Sequence, residues 1–141
     1  MHRPRVLIVE DNRDGLATLL RLMPQDGFRA FGAATALEAI THLNSGVEPP
    51  DSVLVDLEMG EPPGEAIIRL IRDMGLRSYR TGLPTRVVAY TGFDPGAPSV
   101  RAAMAAGADA VLIKPCVIGR IVAVLRGEDP GDTVDLPGGQ P

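Results

Sequence analysis

The sequence predicts an α/β domain: a doubly wound parallel sheet of five strands with five helices on its two faces. Two observations predict it. Short apolar runs alternate with stretches of helical period along most of the chain. The runs are continuous, as in Val6-Leu7-Ile8-Val9 and Val53-Leu54-Val55, which marks strands covered on both faces. A third observation concerns how the runs end. Four of them finish in Glu10-Asp11, Asp56, Thr91 and Lys114-Pro115. If the strands are parallel, these groups meet at one edge of one sheet.

The elements follow in order. The first strand spans Arg5 to Val9. Asn12 has the side chain of an N-cap for a helix through Leu22, with Leu16, Leu19, Leu20 and Met23 at helical spacing. Pro24 and Gly27 end that helix, and a weaker strand runs from Arg29 to Gly32. Thr35 and Glu38 have capping-box spacing and open a second helix to about Leu43. Gly46 and Pro49-Pro50 break the chain before the third strand, Ser52 to Val55, which delivers Asp56. A loop with Gly60, Pro62, Pro63 and Gly64 leads to a helix from about Glu65 to Met74.

Gly75 to Thr85 is expected to be a solvated loop at the amino ends of the strands, carrying Arg77 and Arg80. The fourth strand is Arg86 to Tyr90, and the Gly92 to Pro98 loop precedes a helix from about Ser99 to Ala106. Gly107 is its expected C-cap. The fifth strand is Ala110 to Ile113, and the last helix runs from about Val117 to Arg126. Gly127 to Pro141 is mostly Gly, Pro, Asp and Glu and reads as a tail or linker.

Composition narrows the function. The 141 residues suffice for one domain with a substantial core, and 45% are hydrophobic. No apolar stretch approaches the roughly 20 residues needed to span a bilayer, so no membrane association is expected. The start of the chain does not read as a signal peptide. Cys116 has no partner for an internal disulfide, which suits a reducing cytoplasm. The net charge of −4 argues against direct nucleic-acid binding, which needs a basic face. Fourteen residues are Lys or Arg, but Lys114 is the only lysine, which sets it apart from ordinary surface charge.

The strand-end groups form a chemical set. Three carboxylates, Glu10, Asp11 and Asp56, repel one another and call for a cation. Mg²⁺ suits them, because it prefers oxygen ligands and keeps waters that substrate oxygens replace. A carboxylate beside it can attack a phosphoryl group in line and form an acyl phosphate. The Lys114 ammonium and the Thr91 hydroxyl can then balance the charge on the transferred oxygens. Alone, each residue has a plainer reading: Asp56 a turn residue, Glu10-Asp11 a helix cap, Thr91 a turn, Lys114 a solvated amine. Together they outweigh it. Cys116, His2 and His42 have no matching partners and are not assigned a role.

This set resembles the receiver domain of two-component response regulators. The resemblance covers about Arg5 to Arg126 and implies a receiver domain over residues 1–126. It rests on Glu10-Asp11, Asp56-Leu57-Glu58-Met59, Gly64, Thr91-Gly92, Gly107-Ala108-Asp109 and Lys114-Pro115. It implies a CheY-like, flavodoxin-like sheet in strand order 2-1-3-4-5. Asp56 would be the phosphoacceptor, and Thr91 and Lys114 would contact the phosphoryl group. Asp11 would bind Mg²⁺ directly, Glu10 through water, and the Glu58 backbone carbonyl would add a ligand. The Lys114-Pro115 bond would be cis.

The donor would be a phosphohistidine on a sensor histidine kinase or phosphotransfer protein. Phosphorylation would switch the surface that binds a downstream protein, and the domain would catalyse its own dephosphorylation. It would be a signalling switch in a phosphorelay rather than an enzyme with a released product. A homodimer through the last two helices and last strand is the association this implies.

Two departures bear on the switch. Val111 stands where the family usually has an aromatic residue, so no aromatic rotamer switch is expected. Gly60 follows Met59 in place of the usual proline. Three other classes compete. An aspartyl phosphatase of the haloacid dehalogenase type would place its nucleophile after the first strand and an Asp two residues later, where this chain has Glu58. A receiver that signals by binding alone would not need the full acid, Thr and Lys set. A flavin binder is disfavoured by 4% aromatic content and no tryptophan.

Overall fold

The structure, a computed structural model, describes residues 3–132. Its strands are β1 (Arg5–Val9), β2 (Arg29–Ala33), β3 (Ser52–Asp56), β4 (Arg86–Thr91) and β5 (Ala110–Ile113). Its helices are α1 (Arg13–Leu22), α2 (Ala36–Leu43), α3 (Gly64–Asp73), α4 (Pro98–Ala106) and α5 (Ile118–Leu125). The sheet is parallel throughout, in the order β2-β1-β3-β4-β5. This is the expected doubly wound fold.

Strand alternation divides the core in two. Leu7, Val9, Val53, Val55, Val87, Ala89 and Val111 pack with Ile67, Ile68 and Ile71 of α3 and Val100 and Ala103 of α4. Val6, Ile8, Leu54, Val88 and Leu112 pack on the other face with Leu19 of α1 and Ile121 and Val124 of α5. Successive side chains of a strand point to opposite faces, so an unbroken apolar run fills both layers. Burying each Val, Leu or Ile side chain among them contributes about 1.5–3 kcal/mol.

Local signals set the helix ends. The Asn12 side chain accepts from the Gly15 amide at 2.9 Å and caps α1. Thr35 accepts from the Glu38 amide at 3.0 Å, while Glu38 reaches back to the Ala34 amide, one residue earlier than a standard capping box. After α1 the chain continues into a 3₁₀ turn, Met23–Asp26, that accommodates Pro24, and Gly27 ends it at φ 90°. Gly107 ends α4 at φ 115°.

Two regions differ from expectation. The Gly75 to Thr85 segment is an ordered hairpin, closed by an antiparallel bridge between Arg77 and Pro84. Arg77 donates to the Gly82 carbonyl, and Arg80 pairs with Asp51, which also accepts from Ser78. Thr85 Oγ1 donates to the Pro50 carbonyl at 2.8 Å. These bonds hold the segment at the amino ends of the strands, where it was expected; it is exposed over most of its length, as expected, but tied down by hydrogen bonds.

The other region is the start of the expected tail. Glu128 and Asp129 turn back on the end of α5 and Gly131 and Asp132 lie against β5, while residues 133–141 lie outside the described residues. The Asp132 amide donates to the Val111 carbonyl and the Ile113 amide donates to the Asp132 carboxylate, each at 2.7 Å. Arg120 pairs with both Asp129 and Asp132. The edge strand thus has backbone groups satisfied by its own chain, which removes a template for unwanted pairing. Gly131, at φ 82°, makes this approach possible: a Cβ there would lie 2.7 Å from the Val111 oxygen.

Candidate functional site at the carboxyl ends of the strands

Parallel register brings the strand ends together. β3 ends on Asp56, which pairs with Tyr90 of β4, and Thr91 at the end of β4 pairs with Ile113 of β5. The Lys114 amide donates to the Thr91 carbonyl at 2.7 Å, so the amine and hydroxyl leave adjacent backbones. The Glu10 amide donates to the Ala33 carbonyl at 3.0 Å, which fixes the start of the acidic loop beyond β1.

Carboxylate oxygens of Glu10, Asp11 and Asp56 all lie within 4.8 Å of one another. Asp56 is 3% exposed and Glu10 6%, whereas Asp11 is exposed to solvent. Glu10 Oε2 is buried without a hydrogen-bond partner. Burial pushes the Glu10 carboxyl from an ordinary 4.5 up to about 8, helped by the neighbouring Asp56 and opposed by Lys114. A buried acid cluster with an orphaned oxygen and an open side fits a divalent cation of the Mg²⁺ type.

Lys114 supplies the opposing charge. Its Nζ lies 3.2 Å from Asp56 Oδ2 and 3.2 Å from Glu58 Oε2. Burial works against the ammonium, but Asp56, Glu10 and Glu58 outweigh it and hold its pKa above the usual lysine range. The Lys114-Pro115 bond is cis, as expected, and Glu61-Pro62 is cis as well. Asp56 Oδ1 accepts from the Glu58 amide at 2.8 Å, which orients the carboxylate. Thr91 is fully buried and its Oγ1 accepts from the Phe93 amide at 3.0 Å, leaving the hydroxyl proton to donate elsewhere.

Gly64 lets α3 begin against this loop. A Cβ there would stand 2.6 Å from the Asp56 carbonyl oxygen and 2.7 Å from Leu57 Cα. No side chain fits, so the helix start and the Asp56 backbone are packed as one unit. The Gly107-Ala108-Asp109 motif has a structural task instead. Asp109 accepts from the Val87 amide at 2.8 Å and pairs with Arg72, which also donates to the carbonyls of Gly107 and Thr85.

Two contributions escaped the sequence reading. Glu58 was expected to act through its backbone alone. Its carboxylate in fact bridges Lys114 and the Gly92 amide, the latter at 3.0 Å. Tyr90 places its ring centroid 4.7 Å from Lys114 Nζ. The adjacency of Tyr90 to Thr91 was the only sequence signal for it. Cys116 stays a free thiol, half-buried, with burial raising its pKa. His42 leans on Phe31 with ring centroids 5.1 Å apart, away from the acid cluster's ligand set.

Residues 6–126 match the family model described as the response regulator receiver domain. Among curated proteins, the transcriptional regulatory protein PrrA of Mycobacterium tuberculosis is 32% identical over 130 residues, covering 87% of this chain and 48% of PrrA. The chain therefore spans about half the length of that relative. A receiver domain from Methanospirillum hungatei superposes with a TM-score of 0.75 at 20% identity, covering 90% of this chain and 94% of that one. A response regulator protein from Burkholderia pseudomallei, described with a phosphorylated aspartic acid, a calcium ion and citrate, superposes with a TM-score of 0.71 at 26% identity. That match covers 86% of this chain and 66% of the other.

Proposed function

The chain belongs to the response regulator receiver domain family of two-component systems, and from that membership we propose that Asp56 is its phosphoacceptor. The observation that carries the proposal is the geometry around Asp56. It is a nearly buried carboxylate oriented by the Glu58 amide, paired with the only lysine, and clustered with Glu10 and Asp11. The phosphorylated aspartic acid and calcium ion of the Burkholderia relative support the same reading.

Glu10, Asp11, Asp56 and the Glu58 carbonyl would hold Mg²⁺. When bound, the ion supplies the positive charge that lets an anionic donor approach three acids. An Asp56 carboxylate oxygen attacks phosphorus in line; the P–N bond of a phosphohistidine breaks, and the imidazole leaves with a proton from solvent. Lys114 exchanges its contact with Asp56 for one with a phosphoryl oxygen, and the Thr91 hydroxyl donates to another. Water later attacks the phosphorus of the acyl phosphate, the P–O bond to Asp56 breaks, and inorganic phosphate leaves as Asp56 returns to its carboxylate.

The same shift is the source of the signal. In the resting geometry Lys114 and the Gly92 amide share the Glu58 carboxylate. Drawing Lys114 toward the phosphoryl group loosens that link and frees the Gly92 to Pro98 loop to follow Thr91, carrying α4 with it. Val111 is buried and takes no part as an aromatic switch would. The output is a change in the surface of α4, β5 and α5 offered to a downstream protein.

Intact mass after incubation with Mg²⁺ and acetyl phosphate tests the reading. The parent should gain one phosphoryl group, and neither Asp56→Asn nor the parent in EDTA should. Equal labelling of Asp56→Asn would refute the assignment.

A further inference from the structure

Lys114 is restrained on two sides. Acids hold one: Asp56 and Glu58 each approach Nζ at 3.2 Å. The face of Tyr90 holds the other, with Nζ 4.7 Å from the ring centroid. A cation within about 6 Å of a ring centroid is attracted by the negative face of the π system. The lysine stem is long and carries a compact, mobile charge, so its resting position depends on every such contact.

Tyr90 is placed for this by strand parity. It packs with the layer that contains Val88, Leu112 and Ile121, between the sheet and α1 and α5. Its backbone is fixed by the Leu57 amide, which donates to the Tyr90 carbonyl at 2.9 Å. The ring also borders a cavity of about 430 Å³ lined by Glu10, Asn12, Lys114, Cys116 and Ile118. Tyr90, Glu10 and Lys114 thus line one open cleft.

We propose that Tyr90 is a positioning residue for phosphoryl transfer, its ring face holding the Lys114 ammonium against Asp56. This rests on Asp56 being the phosphoacceptor. The ring contributes through its face rather than its hydroxyl. Phenylalanine should therefore replace it, and leucine, with similar apolar bulk but no π system, should not.

The test uses the single lysine. In protein labelled with ¹³C-lysine, the side-chain methylene resonances of Lys114 should be shifted upfield by the ring in the parent and in Tyr90→Phe. In Tyr90→Leu they should move to the position of an unshielded lysine. The rate of labelling by phosphoramidate with Mg²⁺ should fall roughly fivefold in Tyr90→Leu, as for loss of a half-buried cation–π contact, and stay within about twofold in Tyr90→Phe.

An unshifted lysine in the parent overturns the proposal, whether or not any variant folds. So does a leucine variant with the parent's lysine resonances or rate, or a phenylalanine variant as slow as leucine. If the parent takes no phosphoryl group at all, the Asp56 reading fails instead, and the lysine resonances still decide whether the ring contact exists.

Discussion

Replacing Glu10 by glutamine separates the charge of the acid cluster from its shape. Glu10 is 6% exposed and its carboxyl is pushed from 4.5 to about 8 by burial and by Asp56 beside it. Between those two values the folded, metal-free chain keeps a proton that the unfolded chain has released. The native state then binds more protons, so stability falls as pH rises from about 4.5 and levels off above about 8. At pH 7 the gap is about 2.5 pH units, and at roughly 1.36 kcal/mol per unit the loss is on the order of 3 kcal/mol.

Glutamine fills the same space, carries no charge and titrates nowhere in this range. Urea unfolding in EDTA from pH 5 to 9 should therefore show Glu10→Gln gaining on the parent by about 1 kcal/mol per pH unit up to pH 8. Above that the two should run in parallel. Saturating Mg²⁺ should narrow or reverse the gap, because it stabilises the ionised parent more than the amide. A stability difference that stays constant from pH 5 to 9 would refute the account of Glu10.

Other substitutions probe separate links. Asp11→Asn should weaken Mg²⁺ binding more than Glu10→Gln if Asp11 is a direct ligand and Glu10 acts through water; equal losses in a metal titration at pH 9 would contradict that division. Gly64→Ala should cost about 1–3 kcal/mol, since its Cβ has no room beside the Asp56 carbonyl, and should slow labelling of Asp56. An unchanged urea midpoint would show that α3 yields there without strain. Asp132→Ala should cost about 1–2 kcal/mol by leaving the Ile113 amide without its charged acceptor and leaving Arg120 with Asp129 alone. An unaltered midpoint would mean that the covering of β5 contributes nothing to stability.

The order of elements was legible because each rests on local physics. Continuous apolar runs specify strands covered on both faces, and Asn12, Thr35 and Gly107 mark helix ends by what their own backbones need. Asp56, Thr91 and Lys114 were legible for a related reason. They follow directly on strands, and parallel pairing brings the carboxyl ends of such strands to one edge. The Gly75 to Thr85 hairpin was not legible. Its internal backbone bonds are local, but it is anchored to the domain through Asp51 and Pro50, which are distant in sequence, and no local turn signal announces such partners.

The class of sheet, the edge where the chemistry sits and the residue types gathered there can all be read from short stretches of the chain. Those follow from apolar period, strand length and charge balance, which are properties of short segments. Which groups touch is a matter of how the folded chain packs. That packing placed the Glu58 side chain on Lys114 and Gly92, set the Tyr90 ring against the same amine, left Glu10 Oε2 buried without a partner, and laid Gly131 and Asp132 along β5. Each of these depends on distances of a few ångströms between residues far apart in the chain. Strand register and helix packing set those distances, and neither is written in any single segment.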